Sequence, residues 1–283
     1  MPGMLYICAT PIGNLGDITL RTLDALRSAD VVCAEDTRVT GKLLAHFEIE
    51  KRLERLDEAT ITEQAEAVID RIAAGQTVAF CSDAGMPGVS DPGARLIAAA
   101  QAKGVPYTVL PGASAATTAY VASGFVNPKF YFAGFFPRKA GQRTEALEAL
   151  LNFDATVVFY ESPHRLVSAL AAIADMLPTR EVAVCRELTK IHEEVARGMV
   201  GEVAARFAER EAASPIKGEI AIVIGPPTQD EAQAAQVTTE DAALARAREL
   251  LASGDMTKKD VMRALCKEFN LSRNDAYELV HQA

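Results

Sequence analysis

What most constrains this chain is a repeated switch of hydrophobic period. Short apolar runs rich in β-branched residues alternate with stretches whose apolar positions recur every three or four residues, the signature of an α/β fold with a largely parallel or mixed sheet. Strands are expected at Leu5 to Thr10, Val31 to Glu35, Thr77 to Ser82, Pro106 to Leu110, Phe130 to Gly134, Thr156 to Tyr160, Val182 to Arg186 and Glu219 to Ile224. Between them, Ile61, Ala65, Val68, Ile69 and Ile72 share one side of a helix, and Leu166, Leu170, Ile173, Ala174 and Leu177 repeat that spacing. Each such helix has one stripe to bury.

At 283 residues the chain is long enough for two domains and a small appendage. We place an N-terminal α/β domain at residues 1–118, a second α/β domain at 119–226, a linker at 227–237 and a helical extension at 238–283. The linker reading rests on the Pro226-Pro227 pair followed by polar sequence without periodicity. In the extension, Thr257 with Asp260 and Ser272 with Asp275 fit the helix-start pattern, predicting two short helices around a turn at Asn270 and Leu271. That spacing resembles a helix-turn-helix. With nearly balanced charge, the unit suits a docking or lid role as well as RNA binding.

Several classes are excluded by what is missing. No run of 18 apolar residues occurs and the start lacks a signal-peptide pattern, so a cytoplasmic protein without a membrane span is expected. Cys8, Cys33, Cys81, Cys185 and Cys266 form no C-x-x-C pair, and the four histidines have no metal-ligand spacing, so buried thiols and no metal are expected. A net charge of −9 argues against a broad nucleic-acid-coating surface but leaves room for a local basic patch.

The chemistry is expected in three strand-end loops rich in glycine, proline and small polar residues, where a ligand approaches backbone groups closely. They are Thr10 to Asp17, Ser82 to Gly93, and Leu110 to Ala116, the last running straight into a helix of small residues. None is a P-loop or a dinucleotide G-x-G-x-x-G. Gly112-Ala113-Ser114 looks like a nucleophile elbow, yet G-x-S-x-G is incomplete at Ala116, and around Ser90 it is incomplete at Pro92. Turn formation alone is the competing explanation for the two Asp residues of the second loop.

Taken in order, the motifs resemble those of the tetrapyrrole methylase superfamily, the class III S-adenosylmethionine-dependent methyltransferases. They are Ala9-Thr10-Pro11-Ile12-Gly13-Asn14-Leu15-Gly16-Asp17, Ala34-Glu35-Asp36-Thr37-Arg38, Ser82-Asp83-Ala84-Gly85-Met86-Pro87 and Leu110-Pro111-Gly112, followed by Gly134-Phe135-Phe136-Pro137, Phe159-Tyr160-Glu161-Ser162-Pro163-His164-Arg165, Arg186-Glu187-Leu188-Thr189-Lys190 and Lys217-Gly218-Glu219. Within that superfamily the chain is most similar to the branch that methylates small-subunit ribosomal RNA. The resemblance implies two α/β domains joined near Ser114 to Phe125, with S-adenosylmethionine bound in the cleft between them, and a homodimer. It further implies 2′-O-methylation of a decoding-centre cytidine ribose in 16S rRNA, within the small ribosomal subunit. Other members methylate corrin or porphyrin precursors, and a non-catalytic ribosome-assembly factor is a third reading. One departure is Ser82-Asp83-Ala84-Gly85 where porphyrinogen methylases carry a Gly-Asp-Pro loop, with Met86 where close relatives often have Thr.

On that resemblance, donor binding is expected from Pro11, Asp83, Gly85, Met86, Pro87, Ser114, Ala115 and Glu219. Methyl transfer from a sulfonium needs no metal, so positioning dominates. A ribose hydroxyl is a poor nucleophile, and a base or an alkoxide-stabilising cation helps. The catalytic candidates are Glu35, Arg38, Glu161 and Lys190, with Asp36 and Arg165 beside them; salt-bridge pairing of Glu35 with Arg38 or of Glu187 with Lys190 is the plainer alternative. RNA contacts are expected from Arg138, Lys139, Arg143, Arg165 and Arg186.

Overall fold

The structure, a computed structural model, describes residues 3–252, 256–269 and 271–283, and at residues 230 and 232–239 the backbone only. The described residues build two five-stranded sheets and a helical appendage. In the first half β1 (Leu5–Cys8), β2 (Val31–Ala34), β3 (Arg52–Arg55), β4 (Val78–Cys81) and β5 (Tyr107–Leu110) pair in parallel in the order β3-β2-β4-β1-β5. Helices α1 (Leu20–Ser28), α2 (Thr37–His46), α3 (Ile61–Ala73) and α4 (Gly93–Ala102) connect them. Such crossovers cover both faces of a sheet, which is why β2 and β4 are buried at every position.

Helix α5 (Ala115–Ser123) leads into a mixed sheet. There β6 (Phe130–Phe135), β7 (Thr156–Glu161), β8 (Glu181–Arg186), β9 (Glu194–Met199) and β10 (Ile220–Ile224) lie in the order β6-β7-β10-β8-β9, with only the β6–β7 pair parallel. Helices α6 (Ala140–Glu148), α7 (Leu166–Met176) and α8 (Val200–Ala213) complete this half. The predicted stripes are the buried faces of α3 and α7. α5 packs on β7, β8 and β10 through Ala116 and Ala119, so the division expected at residue 118 falls inside a helix that lies on the second sheet.

Two strands escape the hydrophobic pattern. β3 reads Arg52-Leu53-Glu54-Arg55 and β9 reads Glu194-Val195-Ala196-Arg197-Gly198-Met199; each is a sheet edge, where charge deters pairing with other chains and masks the strand signal. Four cysteines sit in the core and Cys266 is half-buried; burial pushes the Cys33 and Cys185 thiols up to about 12, so both stay protonated.

The segment expected as a linker is corrected by the structure. Helix α9 (Gln229–Ala252) begins inside 227–237, because Thr228 and Glu231 bond reciprocally: the Glu231 N–H donates to Thr228 Oγ1 at 3.1 Å and the Thr228 N–H to Glu231 Oε2 at 2.9 Å. Polar helix formers without an apolar stripe hid it. α9, α10 (Lys258–Glu268) and α11 (Arg273–Gln282) enclose a small core of Ala243, Ala247, Val261, Leu265, Ala276, Leu279 and Val280. Thr257 and Ser272 cap α10 and α11 as expected; the turn residue Asn270 lies outside the described residues. No helix among the described residues is long and apolar enough to cross a membrane.

The appendage is latched by Arg180, only 1% exposed, whose guanidinium meets Glu231 Oε2 at 2.5 Å and also donates to the carbonyls of Gly225, Leu150 and Leu151. Burial alone would raise the Glu231 carboxyl, but bonds from Thr179 and Thr228 and the Arg180 ion pair outweigh it and hold the carboxyl below the usual range. Replacing Glu231 by Ala leaves a buried guanidinium without its carboxylate, a loss of about 3 kcal/mol in urea unfolding. Because the folded pKa is lowered, this stabilisation is complete above the ordinary glutamate range and disappears as pH falls through the lowered value, which a pH series of the wild type and the variant reads directly.

Candidate active site between the two sheets

A parallel sheet points all its strand-end loops to one side, and here the loops after β1, β2, β4 and β5 gather at the carboxyl edge. The first and third are tied by an isolated antiparallel bridge: the Thr10 N–H donates to Gly85 O at 2.9 Å and the Gly85 N–H to Thr10 O at 3.0 Å. Thr10 Oγ1 adds a bond to Ser82 O at 3.2 Å. Gly85 has φ +82°, a conformation that favours glycine, and it faces Ile12 and the Ala113 carbonyl. Turn chemistry explains one of the two Asp residues: Asp91 Oδ1 accepts the N–H groups of Gly88 and Gly93 at 2.6 and 3.0 Å. The other, Asp83, reaches across to accept the Asp36 N–H at 2.9 Å.

The second sheet supplies the opposite wall, through the end of β7, the β8 end with its following loop, and the start of β10. The cleft between the walls holds about 440 Å³, within the range of small-molecule sites. Among the expected residues, Glu35, Asp83, Gly85, Met86, Ser114, Ala115, Glu161 and Glu219 line it. Pro11 and Pro87 lie in the flanking loops but not in the lining, and neither do Arg38 and Lys190. No histidine lines the cleft, and Ser114 sits at the start of α5 in ordinary extended conformation, so no nucleophile elbow forms. Among the described residues no group of three or more His, Cys, Asp or Glu side chains is placed to hold a metal ion.

The charged candidates meet different fates. Burial raises the half-buried Glu35 carboxyl, the Asp83 and Asp91 charges push it further, and the backbone N–H of Asp83 pulls it back only in part. Arg38 does not pair with Glu35; it grips Asp36 with Nε and Nη2, its own side chain 87% exposed, and its hydrogen bonds hold the Asp36 carboxyl well below the carboxylate range. Glu161 is 1% exposed and engaged at both oxygens by Arg165, at 2.8 and 2.5 Å, while Arg165 also donates to Phe136 O at 2.7 Å. Lys190 bridges Glu187 at 3.0 Å and Glu219 at 3.1 Å. Burial opposes its charge, but the two carboxylates prevail and raise its pKa.

Of the five expected RNA contacts, two are occupied within the protein. Arg165 is held by Glu161, and Arg186 is bound to Glu194 and to the carbonyls of Lys217 and His192, so neither guanidinium is free. Arg138 and Lys139 are exposed and Arg143 half-buried, and none of the three has an ion-pair partner among the described residues. Both carboxylate partners are near in sequence, Glu161 four residues before Arg165 and Glu194 eight after Arg186, but spacing alone does not say which nearby carboxylate a guanidinium will engage. Sequence reasoning also missed Tyr160, Val89 and Ser82, all cleft-lining; Ser82 is 2% exposed and its Oγ has no partner.

A family model described as Tetrapyrrole (Corrin/Porphyrin) Methylases matches residues 4–204. Among curated proteins, the Ribosomal RNA small subunit methyltransferase I of Halalkalibacterium halodurans is 40% identical over 280 residues, covering 99% of this chain and 95% of that one. Its namesake in Bacillus subtilis is 38% identical over 279 residues, covering 99% and 94%. Among solved structures, a diphthine synthase superposes with TM-score 0.62 at 20% identity over 79% of this chain and 90% of its own. A uroporphyrin-III-C-methyltransferase from Thermus thermophilus gives 0.55 at 22% identity, over 79% and 94%.

The loop that carries Lys190 is strained. Glu187 and Thr189 adopt φ of +53° and +67°, and a β-branched residue there is a genuine outlier; the buried Thr189 Oγ1 also lacks a partner. Thr189→Gly should raise the unfolding free energy by up to about 1 kcal/mol in urea titration, since relief of strain and of an unpaired hydroxyl exceeds glycine's entropy cost. A destabilised variant would show that the threonine side chain is satisfied and the loop unstrained.

Proposed function

Because the chain belongs to the tetrapyrrole methylase family, we propose that it transfers a methyl group from S-adenosylmethionine to small-subunit ribosomal RNA, at the ribose 2′-oxygen of a decoding-centre cytidine in 16S rRNA. The observation that carries the RNA reading is the degree of similarity: two relatives named for small-subunit rRNA are 40% and 38% identical over 99% of the chain, whereas the uroporphyrin methyltransferase structure is 22% identical. A tetrapyrrole substrate is the second reading within the same fold, and a non-catalytic assembly factor the third. The homodimer and the assembled small subunit as substrate belong to the first reading.

The cleft residues fit the donor. The unpartnered, buried Ser82 Oγ and the glycine-favouring backbone at Gly85 mark a surface shaped for close approach. Asp83, Gly85, Met86, Ser114 and Ala115 would hold its polar groups on the first wall, and Ile12, Leu188, Ile220 and Ala221 its apolar parts. When bound, the donor supplies a methyl carbon made electrophilic by a sulfonium. Glu219, whose carboxylate Lys190 fixes, would complete the second wall.

Glu35 is the residue we assign to accept the ribose hydroxyl proton. Glu161 is the weaker candidate, since Arg165 engages both of its oxygens and leaves neither positioned toward a substrate hydroxyl. Burial and the neighbouring Asp charges raise the affinity of Glu35 for a proton, which makes its carboxylate a stronger base. Arg38, tied to Asp36, and Lys190, tied to two carboxylates, then act by positioning rather than on the reacting atoms.

The deciding experiment is transfer of labelled methyl to small subunits from cells lacking this protein, with the product mapped by nuclease digestion and mass spectrometry. A 2′-O-methylated cytidine is expected; no transfer despite measurable donor binding would refute the RNA assignment. With Glu35 as base, activity rises with pH through a carboxyl titration lying above the usual glutamate range. Glu35→Gln should lower turnover roughly 100-fold and remove that limb without weakening donor binding. An unchanged pH profile in the variant would remove Glu35 from the role.

A further inference from the structure

Phe135 is a large ring left 64% exposed while lining the cleft. Its placement has a backbone cause. β6 pairs Phe132 with Val158 but Phe135 with Tyr160, so three steps on β6 match two on β7. The additional residue is accommodated at Gly134, whose φ is +75° and around which a Cβ would meet nothing within 4 Å; conformation, not space, calls for glycine. In an unbroken strand Phe132 and Phe135 would face opposite sides. The bulge brings both to the Tyr160 side, with ring centroids 4.7 and 5.7 Å from Tyr160, and sends Phe136, 1% exposed, into the core against Phe159.

Of the other exposed aromatics of β6, Phe130 stacks on Tyr120 at 4.7 Å, and Tyr131 meets Phe153 at 72° much as Phe135 meets Tyr160; neither lines the cleft, and Phe135 does. Phe135 is not stacked on Tyr160, which it meets at 73°, and it keeps 64% of its surface exposed. Immediately after it, at Arg138, Lys139 and Arg143, come the cations without ion-pair partners. An exposed ring followed closely in the chain by unneutralised cations supplies the two elements that bind a single nucleic-acid strand, one base on the ring and its neighbouring phosphates on the cations.

We propose that Phe135 is the stacking platform for an unstacked nucleobase of the RNA substrate, set at the cleft mouth by the Gly134 bulge. This rests on the RNA reading above and adds the subsite that the reading lacks: a way to hold one nucleotide out of its stack beside the cleft.

The test compares wild type with Phe135→Ala, Phe135→Leu and Phe135→Tyr, measuring kcat/KM for methyl transfer to small subunits and, separately, S-adenosylmethionine affinity by calorimetry. Ala and Leu should lose roughly 10- to 100-fold in kcat/KM, Tyr should stay within about threefold of wild type, and donor affinity should stay within about twofold in all three. A Leu or Ala variant as active as wild type would overturn the proposal, because apolar contact or no contact would then suffice. So would donor affinity falling in step with rate, which would assign the ring to the donor pocket. If the wild type itself transfers nothing to subunits, the RNA reading fails, and that arm is read before any variant is made.

Discussion

The cleft depends on one contact between small side chains. Ala116 and Ala119 of α5 lie on Ala183, Cys185 and Ala221 of the second sheet, and Ile12 from the loop after β1 enters the same cluster. Larger residues would lift the helix off the sheet and separate the walls. Since α5 is continuous with the loop after β5, this packing brings the carboxyl edge of a parallel sheet against the start of β10 and the end of β7. Everything placed in the cleft, from Asp83 to Glu219, owes its position to that seat.

Within the cleft, two glutamates of similar sequence setting end in opposite electrostatic states. Glu161 follows its strand into a buried position but finds Arg165 one helical turn on, and the pair satisfies itself. Glu35 receives no cation because Arg38 is taken by Asp36, and it is left facing two further carboxylates. A carboxylate paired with a cation suits architecture; one without a cation and with raised proton affinity suits proton transfer. Arg165 and Arg186 illustrate the same principle from the cationic side, each spent on a carboxylate and on backbone carbonyls.

An acidic chain and a polyanionic substrate are reconciled by distribution. Much of the positive charge is neutralised internally, so the net of −9 describes the whole molecule and not each surface. The three cations without ion-pair partners among the described residues follow Phe135, an exposed cleft-lining ring, within the next eight residues of the chain. A local patch of this kind is compatible with the overall charge.

The eight apolar strands, the buried faces of α3 and α7, and the caps at Thr257 and Ser272 were legible in the sequence, because period and capping chemistry are local. So was the richness of the strand-end loops in glycine and small polar residues; that three of them gather at one cleft is a fact of the fold. The edge strands β3 and β9 were not, because charge at an edge erases alternation, nor was the start of α9, whose helix formers carry no stripe. The sequence alone also determined family membership and the set of carboxylates and cations available. Only the tertiary structure decided which of them pair: Lys190 meets Glu219 and Arg180 meets Glu231 from distant parts of the chain, and a single bulged residue at Gly134 reverses the direction of Phe135 without leaving any periodic trace.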